Sequence, residues 1–226
     1  MRGCDNTVRI VEAYIGEYAS GKSENAINRA LELLSEKRRV TLVDLDTVEP
    51  FYTLRPIKKK LEEMGLAVIA WSPEETMGLG EAGSLINQEM IWALHTEGDI
   101  IFDVGYGVHG SKIFNLIEGA NTDPDLKIYA VVNIARPMTS TKEDIVAYIR
   151  ELGQVDGIIN NTHLGNETTS AVVQEGARMI TEAAAELRLP LLYSAATKDI
   201  ADQIGAQDQL GNPVKIITRY MPEAFW

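Results

Sequence analysis

One stretch of the chain has the residue types and spacing of a phosphate cradle: Gly16-Glu17-Tyr18-Ala19-Ser20-Gly21-Lys22-Ser23, a complete GxxxxGKS, followed by Glu24. Its glycines let the backbone curl so that successive N–H groups turn inward. A helix starting at the lysine adds the partial positive charge of its N-terminus. In such a loop Lys22 reaches the β- and γ-phosphates of a nucleotide, and the Ser23 hydroxyl ligates Mg²⁺. The competing reading, a glycine turn with a solvated lysine, loses ground because an apolar run precedes the loop and helical spacing follows it.

A phosphate cradle also needs a carboxylate to hold the metal. DIIFDVGYG offers Asp103 after the apolar Ile100-Ile101-Phe102, with Gly105 and Gly107 leaving room for the next loop to approach a γ-phosphate. A strand-ending acid that caps a turn is the plainer alternative. In VTLVDLDTVEP, Asp44 and Asp46 are two residues apart at the end of an apolar run, so they point the same way. One would position or deprotonate an attacking water and the other would support Mg²⁺, with Asp46 also a candidate metal ligand. Two solvated turn acids are the alternative there.

Positioning these groups requires buried strands with helices between them. Short Val- and Ile-rich runs lie at 7–15, 39–45, 66–71, 99–105, 127–134, 156–162, 189–195 and 214–220, and segments with helical spacing lie at 22–36, 53–64, 82–96, 110–118, 141–152, 168–187 and 197–204. This alternation predicts an α/β three-layer sandwich around a mostly parallel central sheet, with the P-loop NTPase connection of strand, loop and helix. At 226 residues we expect one nucleotide-binding domain spanning 1–226. EGANTDPDL (118–126) reads as a polar loop, and LGEAGS (79–84) as a turn into a helix.

The formal charge of −12 argues against general nucleic-acid or anionic-membrane binding, while a nucleotide needs only a local nest of N–H groups and one or two cations. A single cysteine, Cys4, excludes an internal disulfide, and no run approaches the ~20 apolar residues of a membrane span. The expectation is a cytoplasmic protein. His95, His109 and His163 share no spacing that suggests a metal site or a catalytic base. Phe225 and Trp226 are expected to pack against the body of the protein, and the proline-broken tail makes a poor membrane helix.

The three motifs GEYASGKS, VDLDTVEP and FDVGYG, in that order, resemble the ParA/MinD-type ATPases and their CobQ-like relatives, the SIMIBI class of P-loop proteins. The phrases EYASGKSENAINRAL, VTLVDLDTVEPFYTLR, VNIARPMTST, INNTHLGNETT and RYMP are similar to a bacterial branch known only as ATP-binding. Glu17 departs from the pattern: typical loops read GKGGxGK followed by Ser or Thr, and their first lysine neutralises phosphate across a nucleotide-sandwiched homodimer. With an acid there, a trans contact to a partner's phosphates is unfavourable, so a homodimer stays open but a ParA-style switch is not implied. Arg55 and Arg136 are candidate replacement cations, suited to bidentate phosphate contact.

Guanine recognition of the NKxD type needs an acid at the fourth position, and Asn161-Thr162-His163-Leu164 has none, so ATP is preferred. The resemblance implies that an Asn at the end of a late strand contacts adenine. Asn160 and Asn161 both stand there; successive residues face opposite ways, and Asn161 is the choice. The expected cofactors are ATP and Mg²⁺. The expected role is a slow ATPase that switches loops for a protein or cofactor client. A small-molecule kinase or synthetase of the same fold and a non-hydrolysing nucleotide-binding adaptor are the alternatives.

Overall fold

Strands covered by helices on both faces must be apolar along their whole length, and the central runs of this chain meet that demand. The computed structural model describes residues 8–46, 54–71 and 86–221. Cys4, the 47–50 part of the DLDTVEP phrase, the turn at 79–84 and Phe225–Trp226 lie outside the described residues, as does the side chain of His109. Among the described residues eight strands form: β1 (Val11–Gly16), β2 (Val40–Leu45), β3 (Ala67–Ile69), β4 (Asp99–Val104), β5 (Leu126–Val132), β6 (Gly157–Asn160), β7 (Leu191–Ala196) and β8 (Val214–Ile216). β1, β2 and β4 are buried at every position.

All eight join one sheet in the order β3-β2-β4-β1-β5-β6-β7-β8, and every ladder is parallel. β1 is central, and the chain builds outward from it in both directions. The loop leaving β1 therefore opens into the crevice at the strands' C-terminal ends, where neighbouring connections diverge.

Helices line both faces. On one face α1 (Lys22–Ser35) buries Ala26, Ile27, Ala30 and Leu33 in a cluster with Leu61 of α2 (Lys58–Glu63). Beyond them come α3 (Gln88–Ile91), α4 (Gly107–Ser111), α5 (Lys142–Leu152), α6 (Ser170–Leu187) and α7 (Lys198–Ile204). The opposite face packs Met90 of α3, Ile145 and Ile149 of α5, and Ile180 and Ala183 of α6 against β1, β4 and β5. The expected three-layer α/β sandwich is therefore the observed one.

Three expected elements differ in extent. The helix expected at 110–118 is instead α4 followed by a 3₁₀ stretch at Lys112–Leu116; Gly107 and Gly110 make a weak start, and a helix this short does not propagate. In the 82–96 segment only α3 and a 3₁₀ turn at Ala93–His95 are described. The last strand, expected to run to 220, stops at Ile216 because residues 217–221 leave the sheet and bond to α1. There the Thr218 N–H donates to Asn28 Oδ1, and the Tyr220 and Met221 N–H groups donate to Glu24, each at 2.8 Å.

Close packing of α6 fixes the loop after β6. A Cβ on Gly176 would lie 2.1 Å from Thr162 Oγ1 and 2.8 Å from Asn160 Oδ1, so α6 can approach only as glycine. Gly176→Ala is expected to cost roughly 1–3 kcal/mol through forced displacement of this loop. Urea unfolding of the variant against wild type measures it, and an unchanged midpoint would mean that the loop yields freely.

Candidate functional site

The loop at residues 16–23 is built by close approach. A Cβ on Gly16 would sit 2.4 Å from the Val131 carbonyl of β5, and Gly21 adopts a left-handed conformation with φ 90°. Ala19 is also left-handed, φ 52°, a geometry that bends the loop around a hollow. α1 then begins at Lys22 with no side-chain cap. The N-termini of α5 and α6, by contrast, are capped by Thr141 and Thr169, which accept from Asp144 N and Val172 N. The opening N–H groups of α1 thus remain available to an anion. Lys22 is buried and folds back so that Nζ donates to the Glu17 carbonyl at 3.0 Å. Burial lowers its pKa, opposed by the charges of Asp103, Asp46 and Glu17.

Beside the loop, Asp44 of β2 and Asp103 of β4 are register partners on adjacent parallel strands, so two carboxylates lie side by side in the core. Asp103 is 1% exposed, and neither of its oxygens has a well-formed hydrogen bond. Its pKa is pushed well up, first by burial and then by Asp44, against the stabilising effect of Ser23 and Lys22. Asp44 Oδ1 accepts the Asp46 N–H at 2.9 Å, which turns the chain out of β2 and sets Asp46 against Gly105. The charges of Asp44 and Asp46 both act on Asp103, so the two acids expected to project together border one site, with Asp44 also holding the turn through the Asp46 N–H. Among the described residues no group of three or more His, Cys, Asp or Glu side chains forms a metal cage. A divalent cation here would draw on Asp103, Ser23 and phosphate oxygens, and the orphaned buried oxygens of Asp103 fit that demand.

On the other side of the loop a cavity of about 280 Å³ opens from Gly21 toward the ends of β6 and β7. Asn161 lines it, and its Nδ2 donates to the Ser20 carbonyl at 2.8 Å, tying β6 to the phosphate loop. Asn160 faces the opposite way. Its Nδ2 donates to the Val173 carbonyl and to Ser194 Oγ, and its Oδ1 accepts from the Thr162 N–H, so its amide is fully engaged inside the fold and is not turned to the cavity. Glu24 lines the cavity too, but its carboxylate accepts the Tyr220 and Met221 N–H groups. Burial raises its pKa, partly offset by those two bonds.

Arg136, in the loop after β5, lies close enough to Tyr18 and Glu17 to feel their charges, and burial lowers its pKa. Its Nε is buried without a hydrogen-bond partner. Arg55 is buried, with Nη2 3.4 Å from the Asp46 carbonyl. Both arginines thus border the site, Arg136 on the side of Glu17 and Arg55 on the side of Asp46. Tyr18 packs edge-on against Tyr106, ring centroids 5.5 Å apart, joining the loop to the start of α4.

No family model matches the chain, and no curated protein matches it in sequence. Solved structures do. The FtsY cell-division protein of Thermotoga maritima superposes with a TM-score of 0.61 at 17% identity, covering 97% of this chain and 67% of that one. The signal recognition particle receptor FtsY of Elizabethkingia anophelis gives 0.56 at 15%, covering 87% and 61%. FlhF, complexed with GTP and Mg²⁺, gives 0.51 at 12%, covering 83% and 65%. The chain has the P-loop NTPase fold. It spans about two thirds of the length of these proteins, and at such identities the likeness concerns the fold alone.

Within this P-loop fold the structure gathers Lys22, Ser23, Asp44, Asp46 and Asp103 on one side of the loop and Asn161 on the other, and leaves Asn160 aside. His163, which shares no spacing with the other histidines, lies three residues beyond the end of β6. The structure sets it on the cavity wall, where Nδ1 accepts the Gly165 N–H at 3.2 Å. Burial, then Arg136 and Arg219, pull its pKa down from the ordinary 6.5 to about 4. An unfolded chain binds this proton below 6.5 and the native one only near 4, so stability is expected to fall as pH drops through that window, by up to about 1.4 kcal/mol per pH unit. Urea midpoints at several pH values should decline less steeply for His163→Gln; parallel slopes would place the acid sensitivity elsewhere.

Proposed function

We propose that this protein is a Mg²⁺-dependent nucleoside triphosphate switch of the SIMIBI kind, a single nucleotide-binding unit that hydrolyses ATP slowly and docks a client according to its nucleotide state. The observation that carries the reading is the uncapped, glycine-bent start of α1 facing a buried carboxylate, Asp103, whose oxygens have no other well-formed partner. In this scheme residues 16–23 cradle the phosphates, Lys22 leaves the Glu17 carbonyl to neutralise them, and Ser23 and Asp103 hold Mg²⁺. The metal would supply charge neutralisation at the β- and γ-phosphates. Asp46, at the mouth, would orient the attacking water, and Arg136 would add a cation on the side of Glu17.

Adenine is favoured by Asn161. One hydrogen of its Nδ2 goes to the Ser20 carbonyl, which leaves a second N–H donor and the acceptor oxygen, the pair that N1 and the amino group of adenine would meet. Of the carboxylates at the cavity, Glu24 is engaged by backbone N–H groups, while the exposed Asp199 accepts the Thr197 hydroxyl at 2.6 Å through Oδ1 and keeps Oδ2 as an acceptor that a guanine N–H could use. GTP is the second reading, supported by the FlhF structure that carries GTP and Mg²⁺. The ParA/MinD affinity rests on the order of the three motifs, and the Glu17 substitution in the loop sets this chain apart from the partition-type switches. The client would be a protein or a cofactor precursor; a small acid that accepts phosphate would make the protein a kinase or synthetase instead.

Calorimetric titration with ATP and GTP, with and without Mg²⁺, tests the reading. ATP is expected to bind in the presence of Mg²⁺, with Lys22→Ala weakening it roughly 30-fold or more, as loss of a charge-assisted contact does. Asp103→Asn should abolish the Mg²⁺ dependence and leave residual nucleotide binding. If GTP binds and ATP does not, the base assignment fails; if neither binds, the switch reading fails.

A further inference from the structure

The cavity beside the phosphate loop is walled on three sides by the loop itself, by the turn after β6 and by the start of α7. Its fourth wall comes from residues 217–221, a strap that leaves β8 and crosses back to α1. Glu24 and Asn28, one turn apart on α1, grip it. Glu24 accepts the Tyr220 and Met221 N–H groups, while Asn28 both donates to the Thr218 carbonyl and accepts the Thr218 N–H, all at 2.8 Å. Between these grips Arg219 reaches across the opening, where Nη1 donates to Asn166 Oδ1 at 2.6 Å. Asn166 belongs to the turn after β6, so the Arg219–Asn166 pair bridges the mouth.

We propose that Arg219 is the strap's contact to the base of a bound nucleotide, its planar guanidinium covering the purine from the solvent side. The inference rests on the nucleotide reading above and adds the residue that closes the nucleoside half of that site. Position supports it, because the phosphates belong at the uncapped N-terminus of α1, the strap is anchored on the first two turns of the same helix through Glu24 and Asn28, and Arg219 lines the cavity that opens from Gly21. Chemistry supports it as well. An exposed arginine holding only a neutral amide keeps donors and a π-face to offer, and a guanidinium stacks on a flat ring where an ammonium does not. The purine feature it would use, the ring face, is common to adenine and guanine, so Arg219 favours a purine nucleotide over a bare polyphosphate without choosing between the two bases.

The test compares ATP with inorganic tripolyphosphate, each with Mg²⁺, on wild type, Arg219→Ala and Arg219→Lys. The exposed position of Arg219 predicts normal folding of both variants. Arg219→Ala is expected to weaken ATP about tenfold and leave tripolyphosphate unchanged, and Arg219→Lys to restore little of the loss. Equal weakening of both ligands, full rescue by lysine, or no effect on either would overturn the proposal, because each assigns Arg219 a general charge or no role. Wild type that binds tripolyphosphate but not ATP would sink this inference and keep the phosphate loop. Wild type that binds neither would remove both.

Discussion

Two buried carboxylates in register, Asp44 on β2 and Asp103 on β4, set the electrostatic problem that the surrounding residues answer. Adjacent acids in a low-dielectric core repel each other and resist ionisation together. Burial first and then Asp44 raise the pKa of Asp103, and the charge of Lys22, a buried lysine bonded to the Glu17 carbonyl, opposes the rise. An ordinary fold would replace such a pair with apolar residues at no loss. Its presence toward the ends of two fully buried strands, beside a helix start with no cap, marks a place where an outside cation and anion would complete the charge balance.

The position of β1 makes the arrangement possible. Because the sheet grows outward from it on both sides, one loop meets the acids of β2 and β4 on its left and the amides after β6 on its right. Close approach fixes that loop rigidly: Gly16 lies against the Val131 carbonyl, and Gly21 against the Asn161 amide, where a Cβ would come within 2.0 Å of Nδ2. Asn161 in turn holds the Ser20 carbonyl, so displacing the turn after β6 would displace the phosphate loop. Through Glu24 and Asn28 the same helix also carries the strap, and the two halves of the site share one rigid element.

The fold was legible because its strands are apolar on both faces and its loop motif has fixed spacing. Asp103 and Lys22 were legible for the same reason, since each sits at a position the strand or the motif defines. The two-residue alternation of a strand set Asn160 and Asn161 on opposite sides, and the structure adds that Asn160 is saturated by Val173, Ser194 and Thr162 while Asn161 bonds the loop. His163 gave no spacing signal, since its neighbours come from the loops at residues 19 and 136. Arg219 was hidden more deeply. It looked like part of a strand, and its location depends on backbone bonds to Glu24 and Asn28, nearly the whole chain away in sequence.

The acid at position 17 finds its explanation in these surroundings. Its carbonyl accepts from Lys22 Nζ, and its charge acts on Lys22 and Arg136, two cations of its own chain. A lysine in the same place would face Arg136, whose Nε is already buried without a partner, and like-charge repulsion would drive one of them outward. Glu17 thus stands beside Lys22 and Arg136 of its own chain, and under the proposed function a phosphate in the loop would meet those two cations without a lysine from a second subunit.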